Sequence, residues 1–527
     1  MEKKEQNLIK SGIKLSFLTL ISRILGVIRE TTKAHFLGTS GLADAFGVAF
    51  LIPNLLRRLF AENSISVAFI PTLRGYIEDN RDKKETQTFI NSTFTLITFC
   101  TTLIVVIGFI FTPYIVRLFF DQTSDVIIAE TTILTKIMYP YLIVISIAAL
   151  FQGILNTLNI FAPSGFTPIL FNICVIFGTY ILSSKVENPA RAMSIGVVIG
   201  GCLQALFQLP FILKTNWKVS FTSLKNAFTN EGTKKVILLI IPTILGMATY
   251  QLNDLVSTAL AGRAETGVVS SLQYSLRLQE LILGIFAVTI GTIILPDLAG
   301  LAKKKNWEEY QKMLATSIKI ITLICVPITF YSLLTGKEII SLVFKSNAFD
   351  DNSVAMTLNV FIFHIAGLVF IALNRIISPA FYAQGNTKLP TLAGIISLGF
   401  NILFAFILSF KFKGPGIAFA LSFSSLINTI FLFVFMKKLN TINTKSLIVS
   451  SVLYLIKIIF LSAIASIPII FLYPAIVESF LNYSKIIRYG IPLLISCILF
   501  FSIGVILLFI SKDEILYSIL KKLKIKK

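Results

Sequence analysis

The sequence predicts an all-α, polytopic membrane protein, and three observations carry that prediction. Of its 527 residues, 55% are hydrophobic and only 14% charged, against about 25% charged in soluble domains. Mean hydropathy is +0.83. Apolar runs of about 20 residues recur along the whole chain, each long enough to cross a ~30 Å hydrocarbon core as a helix. The runs are continuous, and too long for barrel strands, which alternate in polarity.

In chain order the spans are expected at 10–36, 42–76, 87–120, 127–156, 163–184, 192–213, 235–262, 267–300, 309–335, 352–384, 389–410, 414–436, 446–473 and 487–511, fourteen in all. The first follows a basic leader, "MEKKEQNLIKSGIKL", without a small-residue cleavage site, so no removable signal peptide is expected. The second contains "IPNLLRRLFAEN", with Arg57 and Arg58 side by side. Short segments between later spans, such as "APSG", "QGNTK" and "KGPG", have turn chemistry. Cys100, Cys174, Cys202, Cys325 and Cys497 all fall in apolar runs; without metal spacing or a disulfide framework they read as small apolar residues. His35 and His364 are too few and too far apart in sequence for a metal site, and none is expected.

The formal net charge is +21, and its distribution argues against a nucleic-acid partner. Alternate loops hold Lys3, Lys4 and Lys10, then Arg74, Arg81, Lys83 and Lys84, then the 214–235 and 303–312 lysines, and finally Lys437, Lys438, Lys445 and the tail "KKLKIKK". The other set is thinner and mixed in sign, as in Asp121, Asp125, Lys185, Glu187 and Arg191. This is the positive-inside asymmetry, and it places both termini in the cytoplasm. The surplus answers to topology and anionic lipid headgroups.

A long internal pattern divides the chain. Segments beginning at Ala49 and Ser275 both run from an apolar helix through "LFA" or "IFA" to Pro71 or Pro296, then a basic loop and another span. Two pseudo-symmetric six-helix lobes are therefore expected, 1–225 and 226–440, with an added helix pair and basic tail at 441–527. Substrate sites in such two-halved transporters lie near the midplane between repeats.

Charges inside spans mark the candidate site. Arg23, Arg29, Glu30 and Lys33 lie on the first span, and Asp44, Arg57, Arg58 and Glu62 on the second. Asp254 lies on the seventh, and Arg277 and Glu280 on the eighth. At about 100° per residue, Arg23 and Glu30 share a helix face with Arg29 beside it, whereas Arg57 and Arg58 diverge. Arg57 is expected to face the cavity, and Arg58 to pair with Asp44 or Glu62 or to snorkel. A guanidinium cluster in a wet pocket suits phosphate, because the planar fork binds its oxygens bidentately and stays charged. Asp254 could bind a coupling ion or pair with an arginine. No Walker-type loop, HExxH or GxSxG is present, so a transporter is expected rather than an enzyme.

The stretches "SRILGVIRE", "ADAFGVAFLIPNLLRRLFAENSISVAFIPTL" and "FYAQGNTKLP" resemble the MurJ (MviN) lipid II flippases of the multidrug/oligosaccharidyl-lipid/polysaccharide exporter superfamily. The resemblance runs through spans 1–12 and extends to the extra pair. It implies a bacterial inner-membrane flippase that carries lipid-linked peptidoglycan precursor outward by alternating access, with the cell-wall synthesis machinery as a further partner. It implies a diphosphate clamp of Arg23, Arg29, Arg57 and Arg277, with Glu30, Asp44, Arg58, Glu62 and Glu280 as supporting charges. The family's "RD" becomes Arg29-Glu30 here, which keeps the charge and lengthens the reach. An ion site proposed in part of the family maps onto Asp254 and Asn401, but Ala405 and Leu421 at the matching positions lack oxygen ligands. No cofactor is implied. A monovalent cation, Na⁺ or H⁺, would be one driving force, and the membrane potential acting on the cationic lobe the other. Spans 13 and 14 would wall an apolar groove for the polyprenyl tail, with Lys457 at its polar end or snorkelling.

Two rivals stand beside this reading. A flippase of another polyprenyl-diphosphate oligosaccharide, or a cation-coupled drug exporter, belongs to the same superfamily; the exporter should show more cavity acid than base and only twelve spans. A non-transporting scaffold for cell-wall enzymes would tolerate loss of the arginines.

Overall fold

The computed structural model describes the backbone of residues 2–62, 65–120 and 125–524, and the side chains within these except at 2–16, 60–62, 66, 241–250, 285–293, 519 and 522–524. Among the described residues every regular element is a helix. In order these are α1 (Glu2–Leu37), α2 (Gly41–Leu56), two π-helical turns (Arg57–Glu62 and Ile65–Phe69), α3 (Ile70–Glu78), α4 (Lys83–Arg117), α5 (Asp125–Thr157), α6 (Ala162–Leu182), α7 (Pro189–Leu213), the short α8 (Leu224–Thr229), α9 (Glu231–Ala264), α10 (Val268–Lys303), α11 (Trp307–Phe344), α12 (Asp351–Ala366), α13 (Leu368–Ala383), α14 (Lys388–Lys438), α15 (Thr444–Ser479), α16 (Lys485–Ile510) and α17 (Glu514–Lys524).

Each expected span falls on helix. Among the described residues, eight helices are long and apolar enough to cross a membrane, or nine if α12 and α13, bent by 41°, are one span. The difference from fourteen has physical causes. α14 is a 51-residue run covering two expected spans, with a kink at Lys413, whose φ of 48° precedes Gly414 and Pro415. α2 has only 16 residues before the π-helical turn that holds Arg57 and Arg58, too short to cross alone, and α1 carries Arg23, Arg29, Glu30 and Lys33.

The helix starts are written in the sequence. Ser40, Asn188, Asn230, Asn306, Asp350 and Asn443 each accept the N–H three residues on, satisfying a donor that the first helical turn leaves open. Inside the spans, buried hydroxyls such as those of Thr93, Thr112, Thr135 and Ser146 donate to carbonyls four residues back, so these four are satisfied within their own helices.

Two compact units form, residues 1–270 and 271–527. The sequence places a boundary at 225/226 instead, and the two differ by α9, which packs here against α4 and the π-helical turns of the first unit. In that unit α2, α5, α6 and α7 enclose a core of Phe46, Met138, Tyr141, Phe171, Val175 and Val197. α6 and α7 touch backbone to backbone: a Cβ on Gly196 would stand 3.1 Å from Val175 Cα, and one on Gly200 3.2 Å from the Phe171 carbonyl. Small residues spaced by four bring membrane helices this close. Gly196→Leu is expected to force them apart and cost about 1–3 kcal/mol. A lowered unfolding midpoint in detergent checks this, and an unchanged midpoint contradicts it.

In the second unit α11 packs with α12, α13, α15 and α16. The added pair is anchored on it through Tyr331, whose hydroxyl donates to the Leu493 carbonyl at 2.6 Å and whose ring meets Phe500. Ala465, Ile469 and Tyr473 complete that cluster.

Candidate functional site

The "NLLRR" motif lies where helical regularity changes. A continuous span is expected over 42–76, yet α2 ends at Leu56 and two π-helical turns follow before α3. Pro53 lies inside α2 and Pro71 at the start of α3; each lacks an N–H and crowds the carbonyl four residues back, so the ladder cannot run unbroken. Short π-helical insertions are frequent at functional sites. Here the insertion holds both arginines of the motif.

Their side chains part. Arg57 donates through Nε to Asn54 Oδ1 at 3.0 Å and lines a polar cavity of about 160 Å³ within the first unit, with Gln152, Asn156, Thr167, Gln204 and Gln208. Gln204 and Gln208 are 7% and 1% exposed, and the Oε1 of each has no hydrogen-bond partner in the structure. Arg58 turns the other way, to Asp254 Oδ2 at 3.4 Å and Gln251 Oε1 at 3.5 Å on α9. Its expected partner Asp44 is engaged elsewhere, and the side chain of Glu62 lies outside the described residues.

Arg29 is held from four sides. Nη1 donates to Asn172 Oδ1 at 3.2 Å and Nη2 to Glu30 Oε1 at 2.8 Å, while the Phe50 and Phe171 rings lie 5.8 and 5.7 Å from the guanidinium carbon. Asn172 is itself fixed, donating to the carbonyls of Ser22 and Pro168 at 3.2 and 3.0 Å. Pro168 also lines the Arg57 cavity. The Asn172 that orients Arg29 and the Pro168 that lines the Arg57 cavity thus lie about one turn apart on α6. Arg23 is half-buried on α1. α6 thus borders both the Arg29 side chain, through Asn172, and the cavity that Arg57 lines.

Asp44 and Lys33 are 2% exposed. The Asp44 carboxylate accepts from the Gly267 and Ser270 N–H groups at 2.5 and 2.8 Å, capping the start of α10, where a negative charge is stabilised by the helix dipole. The Lys33 ammonium lies 5.8 Å from the centre of the Phe46 ring. Asp44 thus acts on backbone, and the sequence alone does not reveal which backbone.

In the second unit Arg277 pairs with Glu280 at 3.2 Å, while its buried Nε has no hydrogen-bond partner. Asn401 is 2% exposed and Ala405 fully buried on α14. Among the described residues no group of three or more His, Cys, Asp or Glu could hold a metal ion. His364 is buried with Nδ1 2.7 Å from Ser275 Oγ. Lys457 pairs with the fully buried Asp513 at 2.7 Å.

Uncharged polar groups are what sequence reasoning missed. Asn172 and the cavity amides sit in spans that carry almost no charge, so a search for charge passes over them. The usable signal was the i, i+4 pairs Gln152/Asn156 and Gln204/Gln208, each on one face of an otherwise apolar helix.

The Arg58–Asp254 pair has side chains 41% and 50% exposed, and such pairs contribute about 0–1 kcal/mol. Arg58→Ala is accordingly expected to cost no more than about 1 kcal/mol of stability and to leave transport within about threefold of wild type. A loss as large as that of an Arg57 variant would contradict this assignment.

Comparison with known proteins is consistent across sequence and structure. A family model described as "Lipid II flippase MurJ" matches residues 33–488. A "Probable lipid II flippase MurJ" of Treponema pallidum (strain Nichols) is 45% identical over 527 residues, covering 99% of each chain. A solved "Lipid II flippase MurJ, inward closed conformation" superposes with a TM-score of 0.77 at 26% identity, over 95% of this chain and 100% of that one. A MATE family multidrug resistance transporter of the MOP superfamily, in an inward-facing conformation, gives 0.66 at 13% identity over 82% of this chain and 98% of that one; that likeness is one of fold alone.

Proposed function

The chain belongs to the MurJ family of lipid II flippases, and on that premise we propose that it moves lipid II across the bacterial inner membrane with the diphosphate held by Arg23, Arg29, Arg57 and Arg277. The observation that carries this reading is the shared wall on α6, where Arg29 is oriented by Asn172 and Arg57 opens into a polar cavity one turn away. A membrane interior tolerates fixed guanidiniums only where they have partners or water. Here the partners use part of each fork. Arg277 keeps a buried Nε without a partner, a donor that a phosphate oxygen could take.

Binding is then a matter of supplied donors and excluded water. The diphosphate's negative charge offsets the cost of keeping arginines in a low-dielectric setting, and charge-assisted bonds there are about twice as strong as neutral ones. The polyprenyl tail stays in the bilayer while the lobes alternate access. A cation at Asp254 would compete with Arg58, 3.4 Å away; the membrane potential is the other driving force, and a charge crossing the full field feels about 2.3 kcal/mol per 100 mV. Both termini are cytoplasmic in this scheme.

The test is complementation of a bacterium depleted of its own lipid II flippase, read as accessibility of lipid II headgroup at the outer leaflet. The wild-type chain is expected to restore accessibility. A well-expressed chain that leaves the headgroup inside would overturn the reading.

A further inference from the structure

The segment that joins α7 to α9 reads in sequence as a loop between two halves: it is basic, and the expected boundary at 225/226 falls inside it. Such boundaries usually fall in flexible linkers that few contacts cross. Here the segment is bonded along its length. Residues 217–223 lie outside any helix and run beside α4. Gln87 Oε1 accepts from the Lys218 N–H at 3.1 Å, and its Nε2 donates to the Lys218 carbonyl. Asn91 Oδ1 accepts from the Ser220 N–H at 3.2 Å, and Thr95 Oγ1 from the Thr222 N–H at 2.9 Å.

The two repeats match. Side chains four apart on a helix are about 6 Å apart along its axis, and residues two apart on an extended chain about 6.6 Å. Three side chains on one face of α4 can therefore meet three alternate N–H groups. They are also oriented for it. Gln87 Nε2 donates to Asn91 Oδ1 at 3.0 Å, and the Thr95 hydroxyl donates to the Asn91 carbonyl at 2.9 Å, which leaves its lone pairs to accept.

Both ends of the segment are fixed as well. Thr215 Oγ1 donates to the Ile212 carbonyl at 2.7 Å and accepts from the Trp217 N–H at 3.2 Å, turning the chain off α7. The Phe221 ring lies 4.7 Å from that of Phe94, and the Phe228 ring of α8 6.2 Å from that of Phe99. Thr233 Oγ1 donates to the Ala227 carbonyl at 2.7 Å, which ties the first turn of α9 to α8. A Cβ on Gly232 would collide with the Phe89 ring of α4, so the start of α9 lies directly on that helix.

We propose that residues 217–222 are a strap that stays docked on α4 through the transport cycle and keeps the start of α9 as a fixed part of the first unit. The loop between α7 and α9 then does not act as a joint when access alternates. No single bond is strong, but the matched set and the ring contacts hold the segment as one body. The inference goes beyond the diphosphate clamp and rests only on the chain's being a transporter.

Hydrogen exchange on the full-length wild-type protein in detergent tests the docking. The peptide 216–223 is expected to exchange at the same rate, within about twofold, with and without lipid II. The variant Gln87→Ala/Asn91→Ala/Thr95→Val is expected to speed exchange there by about tenfold or more. In a chain whose five native cysteines are replaced by serine, Phe94→Cys/Phe221→Cys bridged by a short bifunctional methanethiosulfonate would lock the strap. Flipping of a fluorescent lipid II in vesicles is then expected to stay within about twofold of the same protein after reduction. Faster exchange on adding lipid II, unaltered exchange in the triple variant, or a loss of flipping that reductant reverses would overturn the proposal. The exchange comparison uses the wild-type chain, so it decides the case even where the cysteine pair is inactive. Absence of flipping by the wild type would instead count against the proposed cargo, and is distinguished because exchange is read on the strap itself.

Discussion

Arg29→Gln is expected to lower lipid II flipping by at least about 100-fold while the chain still folds. Two charge-assisted phosphate bonds lost at about 1.5–3 kcal/mol each give a factor of that size or more. Arg29 also has a structural role, since it joins α1 to α6 through Asn172 and lies between two phenylalanine rings. The two roles separate by readout. Glutamine keeps a donor for Asn172 and stays polar, so the unfolding midpoint is expected to fall by no more than about 1–2 kcal/mol equivalent. Arg29→Lys retains the charge but loses the fork, and an intermediate rate is expected. Asn172→Ala provides the complementary case: Arg29 stays but loses its orienting acceptor, so apparent substrate affinity should fall by about tenfold. If Arg29→Gln flips at the wild-type rate with an altered midpoint, Arg29 is a brace and nothing more.

Lys457→Ala is expected to produce the largest loss of stability, about 3 kcal/mol. Removing one partner of a buried ion pair leaves the other charge uncompensated, which typically costs about 3–5 kcal/mol. The lower end applies because Asp513 is fully buried while Lys457 is 32% exposed. Asp513 also caps α17 through the Ile515 and Leu516 N–H groups, so its strain should loosen the C-terminal helix first. Neutralising both partners, as Lys457→Met/Asp513→Asn, is expected to recover most of the loss, since asparagine still caps and methionine fills the space of the lysine stem. Unfolding midpoints of the four species in one detergent give the coupling energy. A double variant as unstable as Lys457→Ala would contradict the pairing.

Much of this was legible in the residues. Continuous apolar runs and the turn-forming segments between them locate the helices, because membrane helices must satisfy their backbones internally. The divergence of Arg57 and Arg58 was also legible, since neighbours on a helix point about 100° apart. Their partners were not. Arg58 meets Asp254, almost two hundred residues away, and Asp44 meets the α10 start; pairing at that separation depends on packing, and a single sequence does not encode it locally. The π-helical turns were hidden too, because a π insertion has no composition of its own, and Pro53 signals only that the ladder is interrupted. Lys457 looked like an anomaly in an apolar span because its partner lies beyond the following helix, at Asp513.

The central claim is that the arginines recognise the diphosphate itself. The most direct measurement is the affinity of the purified full-length protein for a polyprenyl diphosphate and for the matching monophosphate, compared between wild type and the Arg29→Gln/Arg57→Gln double variant. The account predicts that wild type prefers the diphosphate by about tenfold or more and that the double variant binds both alike. An unchanged preference in a well-folded double variant would contradict it.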